Sequence, residues 1–276
     1  MNLKKFAIQI RIETIKCLEH RGFGHIGGSL SIADTLAALY GGIMKINPQN
    51  PQEADRDYLV VSKGHAGPAV QATLALKGYF PIDWLLTMSE GGTKLPSHCD
   101  RLKTPGVDVT TGSLGQGISV AAGIAHAFKL RTMPNKVYCI LGDGEIQEGQ
   151  VWETALYANQ YKLNNLICFI DWNKKQIDGT IDEVMTLLNI EEKFRSFGWY
   201  SIKVNGANPD EIYTSILTAQ ESSVDKPIAI VLDGVKGSGV KVIEDLPFNH
   251  LITFTKELMD KSLSILNQQL KEVNNR

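Results

Sequence analysis

Asp143 and Asn173 are the residues whose types and spacing point most directly to chemistry. Asp143 sits in Leu141-Gly142-Asp143-Gly144-Glu145, directly after the apolar stretch Val137 to Leu141. Asn173 closes Ile170-Asp171-Trp172-Asn173, directly after a second apolar stretch, Leu166 to Ile170. If both stretches are parallel strands ending side by side, one carboxylate and one amide oxygen face the N-terminus of the helix that follows. Oxygen donors of this kind hold a hard divalent cation, and a helix N-terminus favours an anion. The pair therefore suits a metal ion carrying a diphosphate. Gly142 is expected to permit the turn, and Gly144 to let its N–H approach a phosphate. A Gly-Asp-Gly triplet alone is also a common turn. The flanking strand, the helix and the second strand ending in Asn are what favour a site.

The chain has six histidines. His25, His65 and His98 lie in loops that carry Gly or Pro: Gly24-His25-Ile26-Gly27-Gly28, Ser62-Lys63-Gly64-His65 and Leu95-Pro96-Ser97-His98. A neutral imidazole can donate to a hydroxyl and take its proton near neutral pH. The bland alternative is a loop-to-loop hydrogen bond. His20 and His126, on or near helical stretches, read as structural. Trp152 and Trp172 read as packing residues. Arg101 and Lys103 near His98 suit either an anion or plain solvation.

Elements must bring these residues together. Helical periodicity runs from Phe6 to Leu18, and Ser31 to Met44 reads as a second helix with Ser31 as N-cap. Tyr58 to Val61 is a short buried strand, Pro68 to Leu76 a small-residue helix, and Ile118 to Lys129 an Ala/Gly-rich helix. Gly91 to Gly112 is a long irregular stretch, and such stretches in compact domains are usually functional. Trp199 to Val204, a helix from Pro209 to Ala219, Ile228 to Leu232 and a helix from Leu251 to Val273 complete the chain. The alternation predicts an α/β fold, a mainly parallel sheet with helices on both faces, in one domain over residues 1–276. Ligands bind beyond the carboxyl ends of such strands, so the loops after Val61, Leu141 and Ile170 should meet at one edge.

Composition sets the bounds. With 276 residues, 43% hydrophobic and 21% charged, the chain is long enough for a sizeable core. A net charge of −2 without charged runs excludes nucleic acid or anionic membrane as the main partner. Cys17, Cys99, Cys139 and Cys168 form no CxxC pair and suit a reducing compartment. No membrane-spanning run is expected, and the expected location is cytoplasmic.

In this setting the sequence resembles transketolase. The Gly142-Asp143-Gly144-Glu145 turn followed by Asn173 is similar to the thiamine diphosphate signature. In the family's order stand Gly24 to Ser31, Ser62 to Ala66, Leu95 to His98, Thr111 to Gly117, Ile146 to Gly149 and Ile177 to Gly179. The resemblance covers about residues 20 to 250 and implies the thiamine diphosphate-binding fold, in its diphosphate-binding module. It implies that Asp143, Asn173 and the backbone oxygen of Lys175 ligate Mg2+ (or Ca2+ or Mn2+). Gly142, Gly144, Glu145 and His65 would surround the diphosphate, and Gly112, Ser113 and Leu114 the aminopyrimidine side. His25, His98 and His250 match histidines around the reacting carbonyl and hydroxyls of a sugar. Glu148 and Glu153 match acidic residues that link paired active sites. The family usually has His-Gly where this chain has His250-Leu251.

The resemblance also implies a missing half. After Leu232 only one loop and one helix are expected, so no pyrimidine-binding module fits there. The chain then corresponds to the N-terminal subunit of a split transketolase, active with a C-terminal partner that supplies an activating glutamate and contacts to sugar phosphates. A two-fold pair of heterodimers is the expected assembly. Two other functions stay open: a related 1-deoxyxylulose-phosphate-type or unusual-sugar transfer, and a non-catalytic binding module.

Overall fold

The computed structural model describes residues 1–223 and 225–275. The chain opens with α1 (Leu3–Arg21), β1 (Phe23–Gly24), α2 (Ile26–Leu30), α3 (Ala33–Ala38), β2 (Tyr58–Val61) and α4 (Gly67–Leu76). The central run is α5 (Gln116–Leu130), β3 (Val137–Gly142), α6 (Gly149–Gln160) and β4 (Leu166–Trp172). It closes with α7 (Ile181–Val184), α8 (Ile190–Ser196), β5 (Tyr200–Asn205), α9 (Pro209–Ser222), β6 (Ile228–Asp233), α10 (Lys241–Glu244), β7 (Ile252–Thr253) and α11 (Lys256–Asn274).

Five of the strands form one parallel sheet in the order β2-β3-β4-β6-β5. Successive residues of a strand point to opposite faces, so each strand feeds two cores. Val61, Ile140, Phe169 and Ile230 pack with residues of α1, α3, α4, α9 and α11. Val60, Leu141, Ile170 and Val231 pack on the other face with α5, α6 and α8. The order also fixes handedness. From β2 through β4 to β5 the chain crosses the sheet in one direction, and α5, α6 and α8 cover one face. From β5 to β6 it turns back, so a right-handed crossover sends α9 to the other face.

The structure corrects several expectations. Ser31 caps no helix N-terminus: it follows α2 as its C-cap, and its hydroxyl donates to Asp171. The final helix begins at Lys256, capped by Thr255, because Ile252 and Thr253 are drawn into a two-stranded pairing of β7 with β1. Residues 26–43 are long and apolar enough to cross a membrane, contrary to expectation. This segment is 83% buried, because it packs in the core between helices. Gly142 needs no special backbone: it is the last residue of β3 and lies outside the left-handed region. The helix after Asp143 starts at Gly149, one 3₁₀ turn (Glu145–Gln147) later than expected.

Candidate active site

The parallel register sets Gly142 opposite Asp171, so β3 and β4 deliver Asp143 and Asn173 to one edge. That edge floors a cleft of about 300 Å³, lined by His25, Lys63, His65, His98, Asp143, Asn173, Lys175, Lys236 and His250, among others. The loops after Val61, Leu141 and Ile170 meet there as the sequence predicts. Two further loops are pinned onto them. Thr111 ties the long irregular stretch down: its N–H donates to Cys99 O and its hydroxyl to Val61 O. Gly27 N–H donates to Asn249 O at 3.0 Å, which brings His250 beside His25. Gly27 must be glycine, since a Cβ there would stand 2.3 Å from Asn249 O.

Asp143 is 3% exposed. Its carboxylate accepts from Gly144 N–H at 2.8 Å and Lys174 N–H at 2.6 Å. Burial, and next the Asp171 charge, push its pKa up to about 7 against those hydrogen bonds. Among the described residues no cation pairs with it, for the neighbouring Lys63 ammonium is bound to Asp171 at 2.5 Å. Asn173 Nδ2 donates to Asp171 Oδ2 at 2.8 Å, while Oδ1 accepts from Lys175 N–H at 3.2 Å. Lys175 O accepts from Lys236 Nζ at 3.0 Å. A buried carboxylate without a cation, an amide oxygen and a carbonyl oxygen form an all-oxygen donor set. These residues fit a hard divalent cation that also binds phosphate oxygens.

Four of the six histidines converge above this floor. His25 lies 5.5 Å from His65, 5.7 Å from His98 and 5.3 Å from His250, ring centre to ring centre, and His65 lies 4.8 Å from His250. Burial is the main cause that lowers their pKa values, to about 4 for His25 and about 3 for His250. His65 falls further and His98 also falls below the usual imidazole range. All four are neutral near pH 7, so each ring can donate through one nitrogen and accept through the other, with His98 Nδ1 already paired to Ser97 Oγ at 3.2 Å. Lys236 Nζ sits 3.0 Å from His250 Nδ1, and burial lowers the lysine to about 8.

Other predicted residues sit differently. Gly112 and Leu114 line the cleft, whereas Ser113 lines a separate surface hollow. Glu145 touches the cleft, but its carboxylate accepts from Ser62 Oγ, Gly115 N–H and Gly142 N–H. It braces three loops and has no free oxygen directed at a ligand. Gly144 N–H is turned to Asp143. Glu148 and Glu153 are exposed and lie outside the cleft. Arg101 and Lys103 are exposed and outside it as well. His20 and His126 contact Glu90 and Tyr157, away from the cluster. Trp152 packs on Phe194 and Phe197. Sequence reasoning assigns no role to Lys63, Asp171 or Lys236. The only signal for them is their place within motifs read for other residues.

Comparison with known proteins matches residues 3–250 to the family described as transketolase, thiamine diphosphate binding domain. The chain is 46% identical over 269 residues to a 6-deoxy-6-sulfo-D-fructose transketolase subunit of Clostridium sp. (strain MSTE9), covering 98% of each chain. It is 36% identical over 250 residues to an apulose-4-phosphate transketolase subunit of Phocaeicola vulgatus, covering 91% of this chain and 88% of that one. Among solved structures, the transketolase of Campylobacter jejuni superposes with a TM-score of 0.90 at 30% identity. That match covers 97% of this chain and 43% of the other, so the chain spans less than half of that enzyme.

Proposed function

This chain belongs to the transketolase family through its thiamine diphosphate-binding domain, and on that premise we propose that it is the diphosphate-binding subunit of a two-chain transketolase. The complete enzyme moves a two-carbon ketol unit from a ketose to an aldose. The observation that carries this reading is the convergence of the Asp143–Asn173 floor and four neutral histidines in one cleft.

Thiamine diphosphate, when bound, supplies an electron sink for negative charge developing on the transferred unit. Asp143, the Asn173 amide oxygen and the Lys175 carbonyl would hold Mg2+ and, through it, the diphosphate. Lys236 lines the same cleft and adds positive charge near those oxygens. His25, His98 and His250 are placed to orient sugar hydroxyls, and their depressed pKa values keep each ring neutral, able to hydrogen-bond a sugar oxygen or hydroxyl. Glu148 and Glu153, exposed on α6 and just before it, suit contacts with another subunit. The C-terminal partner supplies the pyrimidine-binding module, the activating glutamate and the contacts to the sugar's anionic end. Two such pairs assemble about a two-fold axis in the cytoplasm.

The whole-length identity of 46% to the 6-deoxy-6-sulfo-D-fructose relative, against 36% to the apulose-4-phosphate relative, favours a 6-sulfonated ketose as donor over an ordinary pentose-pathway phosphate. The test is an assay of this chain with and without a transketolase C-terminal subunit, with thiamine diphosphate and magnesium. Turnover is expected only with both chains, and robust turnover by this chain alone would refute the split. The reconstituted pair should use 6-deoxy-6-sulfo-D-fructose with a higher kcat/KM than fructose 6-phosphate. The reverse order would remove the sulfonate assignment and leave the split intact.

A further inference from the structure

We propose that Asp171 is a positioning residue that keeps the Asn173 amide oxygen, and not its nitrogen, turned toward the metal site. The inference rests on the metal site proposed above. A carboxamide has two ends of nearly equal size, and only the oxygen can ligate a cation. Asp171 Oδ2 can only accept, and it takes the Asn173 Nδ2 hydrogen at 2.8 Å. Lys175 N–H can only donate, and it gives to Oδ1 at 3.2 Å. The two contacts impose the same orientation from opposite sides.

Asp171 is itself immobilised. Its Oδ2 also accepts from Lys63 Nζ at 2.5 Å and from Ser31 Oγ at 2.7 Å, and both Lys63 and Asp171 are all but fully buried. It lies within β4, paired in register with Gly142 and Leu232, so its backbone is held from both sides. Lys63 cancels the Asp171 charge, so the network sets the orientation of a ligand without adding net charge to the site. This accounts for three residues that no other part of the site explains: the serine after α2, the buried lysine after β2, and the acid two positions before Asn173. Groups that orient a metal ligand in this way commonly matter nearly as much as the ligand.

Mn2+ binding to the full chain in the presence of thiamine diphosphate, followed by electron paramagnetic resonance, tests the role without reference to turnover. Lys63→Met/Asp171→Leu removes the acceptor and its counter-ion together, so no buried charge is stranded and local net charge is unchanged. It is expected to weaken Mn2+ binding by about tenfold or more. Lys63→Met/Asp171→Asn keeps an acceptor oxygen for Asn173 at the same local net charge, and is expected to bind Mn2+ close to the wild type. Thermal melting without metal checks that each variant is folded. If Lys63→Met/Asp171→Leu does not fold, Lys63→Met/Asp171→Asn decides alone. Wild-type affinity in folded Lys63→Met/Asp171→Leu, or a tenfold loss in Lys63→Met/Asp171→Asn, would overturn the positioning role while leaving the metal site standing. Absence of Mn2+ binding by the wild type would overturn the metal site and this role with it.

Discussion

At the scale of single residues the site is defined by groups held in their neutral or unpaired state. His250 shows the consequence. Burial first, then the Lys236, His25 and Lys63 charges, lower its pKa to about 3. In the unfolded chain an imidazole takes its proton near 6.5. Between these values the unfolded chain binds a proton that the folded chain refuses. The stability that His250 contributes is therefore complete above about pH 6.5 and is lost as pH falls toward 3. His250→Gln should lose less melting temperature than the wild type between pH 7 and pH 5, as read by differential scanning calorimetry. Parallel curves would show that His250 is not held neutral by the fold. Much at this scale is legible in sequence: His25, His65 and His98 stand in Gly- and Pro-bearing loops, and Asp143 and Asn173 close apolar strands. Lys63, Asp171 and Lys236 are not legible, because their roles come from contacts across the fold. Lys63 meets Asp171 108 positions away, and Lys236 meets Lys175 61 positions away.

At the scale of elements, the loops beyond β2 and β3 and the start of α5 are joined through Glu145. Its one carboxylate satisfies the Ser62 hydroxyl and two backbone N–H groups. Glu145→Gln keeps the size but supplies one acceptor oxygen, so a buried donor loses its partner. A cost of roughly 1–3 kcal/mol is expected in urea unfolding. Gly115 starts α5 in the left-handed region at φ 79°, and a Cβ there would stand 2.8 Å from Glu148 Cβ. Gly115→Ala is expected to cost roughly 1–3 kcal/mol as well. An unchanged unfolding midpoint in either variant would refute the brace or the strain. The strands and most helices are readable because apolar runs bounded by Gly and Pro set their limits. The segment after Gly24 is not, since apolar periodicity from Ser31 to Met44 conceals a break between α2 and α3. That break frees the Ser31 hydroxyl for Asp171, a tertiary contact that local propensity does not encode.

At the scale of the whole molecule, one parallel sheet carries a core on each face and presents its chemistry at the carboxyl edge. The alternation of strands and helices makes this architecture legible, and the ordered motifs make the cleft legible. How the floor is charged emerges only from the fold. Asp143 is buried, and its carboxylate is disfavoured by burial and by Asp171. A diphosphate entering alone would add negative charge beside it, and a cation alone would lack the phosphate oxygens that complete its shell. Thiamine diphosphate and magnesium should therefore stabilise the chain together and only weakly apart. At ligand concentrations about 100-fold above Kd, a ligand bound only by the folded state adds about 2.7 kcal/mol. In a chain of this size that corresponds to a rise of about 5–10 °C in melting temperature. Scanning fluorimetry with each ligand singly and then both, reversed by EDTA, reads this coupling. Asp143→Ala should abolish the joint shift, because Asn173 and Lys175 supply only neutral oxygens. An undiminished shift in that variant would place the metal elsewhere in the cleft.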